Sequence, residues 1–512
     1  MSESRVLVRP NTYLDSVLLM SATRAMRESD GVEYASAVMG TEANCEDLRS
    51  RGVAWAELDQ AGINDLVLAV VADTAEEAEA ALRAGEGALA GREAEAEDGG
   101  APRPRTLPEA VRSYRDANVA LISVPGEYAA LEAHQALTAG LHVLLFSDNV
   151  RLEDEVALKR RATELGLLLM GPGAGTGMFG GLGLGFANVV SRGPVGVVAA
   201  AGTGAQEVMA LLDRWGAGVS DVIGVGGRDL SEEVGGLMTR VGVRALADDD
   251  RTEVLLLVSK PPSPAVAEEI LAGLDVSPAV AVLVGVAEPV PTPDGVTLAR
   301  TLEEGVVRTL EILGREAPDP AEGLAERAKM ALDRVDAGRR TIHGLFSGGT
   351  LCYESMAVIS DSLGAPVQSN VPLRAEWSLP APPGAHVCLD LGEEEFTRGR
   401  PHPMIDPEPR AERIIQDTED PDVAVILLDV VLGYGAHPDP ASVLAPACRV
   451  AAGVGIAVVA HVLGTHRDPQ GYAEQSRTLE EAGCVLAPTG ARAAMLAAAI
   501  SSQEPEMAEA AP

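Results

Sequence analysis

Two short segments of this chain carry the same chemistry-bearing pattern. Gly202-Thr203-x-x-x-Glu207 recurs as Gly349-Thr350-x-x-x-Glu354, at an offset of 147 residues, about the length of one α/β domain. In each copy an apolar strand precedes the glycines and an amphipathic helix follows the threonine. A glycine turn at a helix start leaves backbone N–H groups free to hold an anion. Gly202, Gly204, Gly348 and Gly349 allow close approach, and Thr203 and Thr350 add a hydroxyl. Glu207 and Glu354 fall where the helix dipole favours a carboxylate, which makes them candidate catalytic groups. The plain alternative is a tight strand–helix turn with a dipole-matched glutamate.

Three other segments could join such a site. VGGRDL (225–230) brings Gly226, Gly227 and Arg228, and arginine suits bidentate contact with phosphate or carboxylate; a surface ion pair is the alternative. SKPPSP (259–264) places Lys260, one of three lysines, after a strand. RGRPHPMIDPEPR (398–410) sets Arg400, His402, Asp406 and Arg410 among four prolines. Proline stiffening lowers the cost of holding polar groups in place, so this loop reads as an anion or substrate contact, with His402 as general acid or base. His461 and His466 read as core or surface histidines. No residue set has a metal-ligand spacing.

Composition bounds the functional classes. The 512 residues carry 40 Lys+Arg against 76 Asp+Glu, a net charge of −36. A field of that sign repels a nucleic-acid backbone, while small anions can still be held locally. Hydrophobic residues make up 46% and aromatics 3%, so the cores are aliphatic. The five cysteines are scattered, which points to a reducing compartment. No apolar run is long enough to span a bilayer. The expectation is a cytoplasmic protein with no nucleic-acid and no membrane partner.

Apolar runs alternate with Ala/Leu/Glu-rich amphipathic stretches, the pattern of βαβ units and parallel sheets. The class expected is α/β, with three to four Rossmann-like or flavodoxin-like doubly wound domains. The divisions are an N-terminal α/β domain (1–92), a linker (93–106), a Rossmann segment (107–190), an α/β domain (191–315), a helical connector (316–344), a second such domain (345–500) and a frayed tail (501–512).

Several segments resemble the succinyl-CoA synthetase superfamily, and within it the acyl-CoA synthetase-like FdrA branch. They are FSDNVRLEDE, VGGRDLSEEVGG, VSKPP, GRPHPMIDP and LLDVVLGYGAHPDP, and the resemblance spans about 117–490. It implies that 117–176 is the second half of a CoA-binding domain, with Pro125, Ser147, Asp148, Gly171 and Pro172 at CoA-contacting turns. It also implies tandem ligase domains, and assembly into homo- or hetero-oligomers. The residue matching Glu207 contacts a phosphohistidine in the family.

This chain departs from that pattern. It has no histidine between Ala205 and Thr341, so a phosphohistidine at the family position is excluded. The first strand is followed by RPNTYLDS, a turn without the glycines that hold the CoA phosphates. It carries no nucleotide-binding motif. The expectation is therefore an FdrA-type, succinate–CoA ligase-like enzyme that moves a small anionic acyl group through an acyl phosphate, with phosphate as reactant. One alternative is a subunit of a carbamoyltransferase acting between oxamate or oxalurate and carbamoyl phosphate in allantoin breakdown. The other is a non-catalytic scaffold or regulatory subunit.

Overall fold

The computed structural model describes residues 3–12, 14, 16–53, 56–97, 104–274, 278–286, 290–397 and 401–512. They form two units, one of Met1–Arg105 with Thr397–Pro401, the other of Thr106–Phe396 with His402–Pro512. No helix among the described residues is long and apolar enough to cross a membrane.

The first unit runs β1 (Glu3–Arg9), α1 (Ser16–Arg27), β2 (Val32–Met39), α2 (Glu42–Ser50), β3 (Leu66–Ala72) and α3 (Ala75–Glu97). Its sheet has the order β1-β3-β2 and is antiparallel throughout. This corrects the expectation of a parallel sheet here. The run LVLAVVA is apolar on both faces, as in a buried parallel strand, because β3 is central and covered twice. Leu66, Leu68, Val70 and Ala72 meet Ala22, Met26 and Ala78 on one face, while Val67 and Ala69 meet Cys45, Leu48 and Leu58 on the other. Helix α3 extends into the expected linker, since its Ala/Glu-rich end favours helix.

The second unit opens with α4 (Leu107–Ser113), then β4 (Val119–Ile122), α5 (Gly126–Thr138), β5 (His142–Leu145), α6 (Leu152–Leu165) and β6 (Leu169–Met170). These three strands form a small parallel sheet. The glycine-dense stretch after it makes a hairpin, β7 (Thr176–Phe179) and β8 (Leu182–Gly185), which joins the next sheet instead. The boundary expected near residue 190 therefore lies before β7. Gly180 and Gly181, both at positive φ, make the tight turn that lets this ribbon fold back.

That next sheet comprises β9 (Arg192–Ala200), α7 (Gly202–Arg214), β10 (Val219–Gly224), α8 (Leu237–Ala247), β11 (Val254–Ser259), α9 (Pro264–Ala272), β12 (Ala279–Leu283), β13 (Val296–Ala299) and α10 (Leu302–Ile312). Its order is β13-β12-β11-β9-β10-β7-β8, with β9 to β13 parallel. Helix α11 (Leu324–Leu332) leads to β14 (Thr341–Phe346), α12 (Gly349–Leu363), β15 (Val367–Ser369), β16 (His386–Asp390), α13 (Glu394–Thr397), α14 (Glu408–Asp417), β17 (Val423–Val431), α15 (Pro440–Gly453), β18 (Ala457–Leu463), α16 (Tyr472–Glu481), β19 (Val485–Ala487) and α17 (Gly490–Ser502). This sheet is parallel, in the order β15-β16-β14-β17-β18-β19. In both sheets the strand before the glycine turn is flanked by two later strands, one on each side, so the chain crosses the sheet in opposite directions from it. That is the switch point where open α/β sheets bind ligands.

The two large modules share one core. Val208, Met209 and Leu212 of α7 lie in the same apolar cluster as Leu351, Cys352 and Met356 of α12 and Met495 and Leu496 of α17. The tail is packed, against the expectation of fraying. Ala508 is fully buried, Arg492 Nη1 donates to Ala510 O at 2.7 Å, and Ala325 N donates to Glu509 Oε1 at 3.2 Å.

Candidate functional site

The two Gly-Thr helices meet at their first turns. A Cβ built on Gly348 would lie 2.1 Å from Thr203 Cγ2, and one on Gly204 would lie 2.8 Å from Thr350 Cγ2. Glycine is required at both positions because each threonine occupies the space a side chain would need.

One turn deeper, Glu207 and Glu354 are each 1% exposed. Glu207 Oε1 accepts from Gly490 N at 3.4 Å, at the start of α17. Glu354 Oε1 accepts from Leu302 N at 2.6 Å, at the start of α10. Each carboxylate thus caps the last helix of the other module. Thr489 Oγ1 and Arg492 Nε close the same interface on Glu303, at 2.6 and 2.9 Å. Glu207 and Glu354, expected as candidate catalytic groups, are thus placed where one oxygen of each joins the two modules.

The partner of Glu207 is His461, on β18, a residue that no motif in the sequence links to it. His461 Nε2 stands 2.8 Å from Glu207 Oε2, and His461 Nδ1 stands 3.2 Å from Ala487 O. Both ring nitrogens therefore face oxygen atoms, the Glu207 carboxyl on one side and the Ala487 carbonyl on the other. The signal available was a single histidine inside the otherwise apolar strand GIAVVAHVL. A buried polar side chain there needs a partner.

Burial alone would raise the Glu207 carboxyl, but His461, Arg214 and the Gly490 N–H hold it below the ordinary carboxylate value. Burial pushes Glu354 up to about 8, with Glu207 and Glu303 adding to the rise against the Leu302 N–H. Glu354 therefore keeps a proton in the native state that the unfolded chain has released. The stability tied to it is complete below the unfolded value and is lost as pH rises through about 8. Glu354→Gln should match the wild type near pH 5 and unfold at a higher temperature than it at pH 9. Thermal scans at the two pH values check this, and an equal difference at both would refute it.

Above the interface, the C-terminal ends of three sheets converge on Lys260. Its Nζ lies 3.9 Å from Glu393 Oε1 and 5.9 Å from the Tyr353 ring centroid. A Cβ on Gly227 would lie 2.9 Å from Lys260 Cε. Gly226, at φ 91°, would bring a Cβ within 2.8 Å of Pro172 O and 2.9 Å of Gly171 Cα, so these two turns are pressed together. Asp148 completes the wall. Burial raises its carboxyl, as do Glu393 and Glu394, against Arg228 and Lys260. Asp390, at the end of β16, is pushed up to about 7 by burial and Glu393, against Lys260.

The other expected contacts divide. Arg228 Nε donates to Glu155 Oε2 and its Nη2 to Val150 O, both at 2.8 Å. Its fork is turned toward α6, which corrects the expectation of a free anion contact. His402 Nδ1 accepts from Met404 N at 3.2 Å. Burial and then Arg410 lower His402 to about 4, so the residue expected as general acid or base is neutral at physiological pH, with its hydrogen on Nε2. Asp406 Oδ1 accepts from Glu408 N at 3.1 Å, which shapes the proline loop. Arg400 lies outside the described residues. Ser147 Oγ donates inward to Ile122 O at 3.4 Å, and Pro125 caps α5. Of the turns expected to meet CoA, Gly171 and Pro172 press on the Gly226 turn and Asp148 lies in the field of Lys260.

Residues 345–500 match the family described as CoA-ligase. Residues 1–104 match the family described as AllF, heavy metal-associated domain. The chain is 39% identical over 506 residues to YahF of Escherichia coli (strain K12), covering 96% of this chain and 98% of that protein. It is 31% identical over 165 residues to the succinate–CoA ligase [ADP-forming] subunit alpha 2 of Archaeoglobus fulgidus, covering 31% of this chain and 56% of that subunit. ATP citrate lyase from Methanothrix soehngenii, solved with citrate and coenzyme A, aligns over 42% of this chain and 38% of its own at 18% identity, with a TM-score of 0.32.

The heavy metal in the description of the first unit does not fit its residues. Residues 1–105 contain one cysteine, Cys45, and no histidine, and Cys45 is buried against Leu48 and Val67. Soft metals need several thiolate or imidazole ligands. Among the described residues no cluster of three His, Cys, Asp or Glu side chains could hold an ion.

Proposed function

Because the chain belongs to the family of YahF and carries a CoA-ligase module, we propose that it transfers a small anionic acyl group through an acyl phosphate formed without a phosphohistidine. The observation that supports this most is the paired helix starts of α7 and α12 below Lys260. Two sets of N–H donors and one ammonium suit a phosphoryl group and the oxyanion of a tetrahedral intermediate. The histidine beside Glu207 cannot carry the phosphoryl group, since His461 is 1% exposed and both its ring nitrogens are engaged. Inorganic phosphate would attack the acyl carbon directly: a C–O bond forms, the bond from that carbon to the leaving group breaks, and the proton lost by the phosphate passes to the leaving group. CoA is the acyl partner on the ligase reading, contacting the Asp148, Gly171 and Pro172 turns.

The AllF-type first domain favours a second, narrower reading. On it, the acyl group is carbamoyl, exchanged between oxamate and phosphate in allantoin breakdown, and this chain is one subunit of a hetero-oligomer. A nucleotide would then be bound by a partner.

A thermal-shift titration of the whole protein separates these readings. A ligand at about 100 times its Kd adds roughly 2.7 kcal/mol to stability. The acyl-phosphate reading expects phosphate to stabilise the wild type and Lys260→Ala to lose most of that response. CoA would add a further shift on the ligase reading, and carbamoyl phosphate without CoA on the carbamoyl reading. An undiminished response in Lys260→Ala would remove Lys260 from the site. Silence from all three ligands would leave the scaffold role.

A further inference from the structure

We infer that Asp390 is the proton-carrying group of an anion site at the start of α12, so that an anion binds there only as Asp390 takes up a proton. The inference deepens the acyl-phosphate reading and rests on it for the class of ligand, a phosphate or phosphate-like oxyanion.

The geometry is that of a carboxyl fixed at one oxygen and aimed with the other. Asp390 is 3% exposed. Its backbone N–H donates to Asn370 Oδ1, and its carbonyl accepts from Asn370 Nδ2, both at 3.0 Å. Oδ1 accepts from Gly392 N at 2.9 Å. Oδ2 takes no hydrogen bond among the described residues, and a Cβ on Gly349 would lie 2.5 Å from it. Gly349 is the first residue of α12, a helix of 15 residues whose start has no side-chain cap. The uncapped first turn of α12 and the free oxygen of Asp390 therefore lie side by side. The first provides donors for an anion; the second, when ionised, repels one.

Protonation resolves the conflict. As a neutral acid, Asp390 donates its O–H to the anion from the side opposite the helix. The surroundings keep that proton within reach. Asp390 is faced by Glu393 and Asp429 as well as by Lys260, and Tyr353 and Cys352 of α12 lie in its field. His402 flanks Gly392 and is neutral at physiological pH. Burial first and the Glu393 carboxylate second favour the protonated form near neutrality against Lys260, while Asp429 is itself paired with Arg410 at 2.9 Å. The start of α7 carries no such group, for a Cβ on Gly202 would meet nothing within 4 Å. The two copies of the Gly-Thr turn are thus chemically distinct.

The test is sulfate binding to the full chain by calorimetry from pH 6 to 9. Sulfate keeps its charge over this range, so any proton uptake belongs to the protein. Repeating the titration in two buffers of different ionisation enthalpy counts the protons. The wild type should take up close to one proton near pH 8, and its affinity should fall about tenfold per pH unit above pH 7. Asp390→Asn, which keeps the shape and cannot ionise, should bind with no uptake and a flat pH dependence. Binding by the wild type without proton uptake would overturn the inference, as would an Asp390→Asn variant with an unchanged pH dependence. Either result leaves the acyl-phosphate reading standing. Absence of sulfate binding at every pH would overturn the inference, and an added absence of any response to phosphate or carbamoyl phosphate would take the acyl-phosphate reading with it.

Discussion

His461→Ala should destabilise the protein by about 3–5 kcal/mol, the usual cost of removing one partner of a buried ion pair. The substitution leaves Glu207, 1% exposed, without the imidazole nitrogen that faces it at 2.8 Å. It also frees Ala487 O at the end of β19, two residues before the Thr489 cap of α17. The loss falls on the interface between the two Gly-Thr modules, so both large sheets should unfold in the same transition at a lower midpoint. Urea unfolding of the full chain measures it. Glu207→Gln alone should cost less, because the amide can still accept from Gly490 N. The double variant should recover part of the His461→Ala loss, since no unpaired carboxylate remains, and the cycle reports the coupling. A His461→Ala midpoint within about 0.5 kcal/mol of the wild type would mean that the pair contributes no more than a surface contact.

The repeat that frames this pair is legible in the chain, but the pair itself is not. Gly202 and Gly349 announce themselves by spacing, and the parallel sheets follow from apolar runs alternating with amphipathic stretches. What links the modules is set by tertiary approach. Glu207 and His461 are 254 residues apart, and neither lies in a motif that points to the other. Reading each Glu as serving the helix it begins is sound locally. In the fold each serves the opposite module, because the two helix starts abut through Thr203 and Thr350. Arg228 shows the same limit. Its type suits an anion, yet its direction is set by Glu155, a residue on α6 of a different sheet layer. Asp390 sits in LDLGEEEF among other acidic residues, and only the turn of β16 toward Gly349 distinguishes it. In the first unit, the apolar run of β3 states that both faces are covered, but not which way its neighbours run.

The Lys159 ammonium joins the packing of α6 to the glycine turn beside Lys260. The ammonium is fully buried, 2.8 Å from Glu155 Oε1 and 2.7 Å from Asp229 Oδ1, and it donates to Val225 O at 3.0 Å. Asp229 in turn accepts from Thr239 N and Oγ1, at 2.8 and 2.7 Å, at the start of α8. Lys159 therefore ties α6 to the turn after β10, the turn that sets Gly226 against Gly171 and Gly227 against Lys260. Lys159→Met keeps the length of the stem but leaves Glu155 with the half-exposed Arg228 and Asp229 with only the neutral donors of Met238 and Thr239. The cost should again be about 3–5 kcal/mol. Unlike His461→Ala, it should be accompanied by weaker phosphate stabilisation, because the Gly226–Gly227 turn loses its anchor while Lys260 itself is intact. Lowering the pH toward 5 should return part of the stability, as a carboxyl stranded in the core takes up a proton. Urea midpoints at pH 5 and 8, with phosphate shifts at each, test both parts. A variant with a wild-type midpoint would show that Glu155 and Asp229 find other partners. A variant with a lowered midpoint but a full phosphate response would show that the turn keeps its place without its anchor.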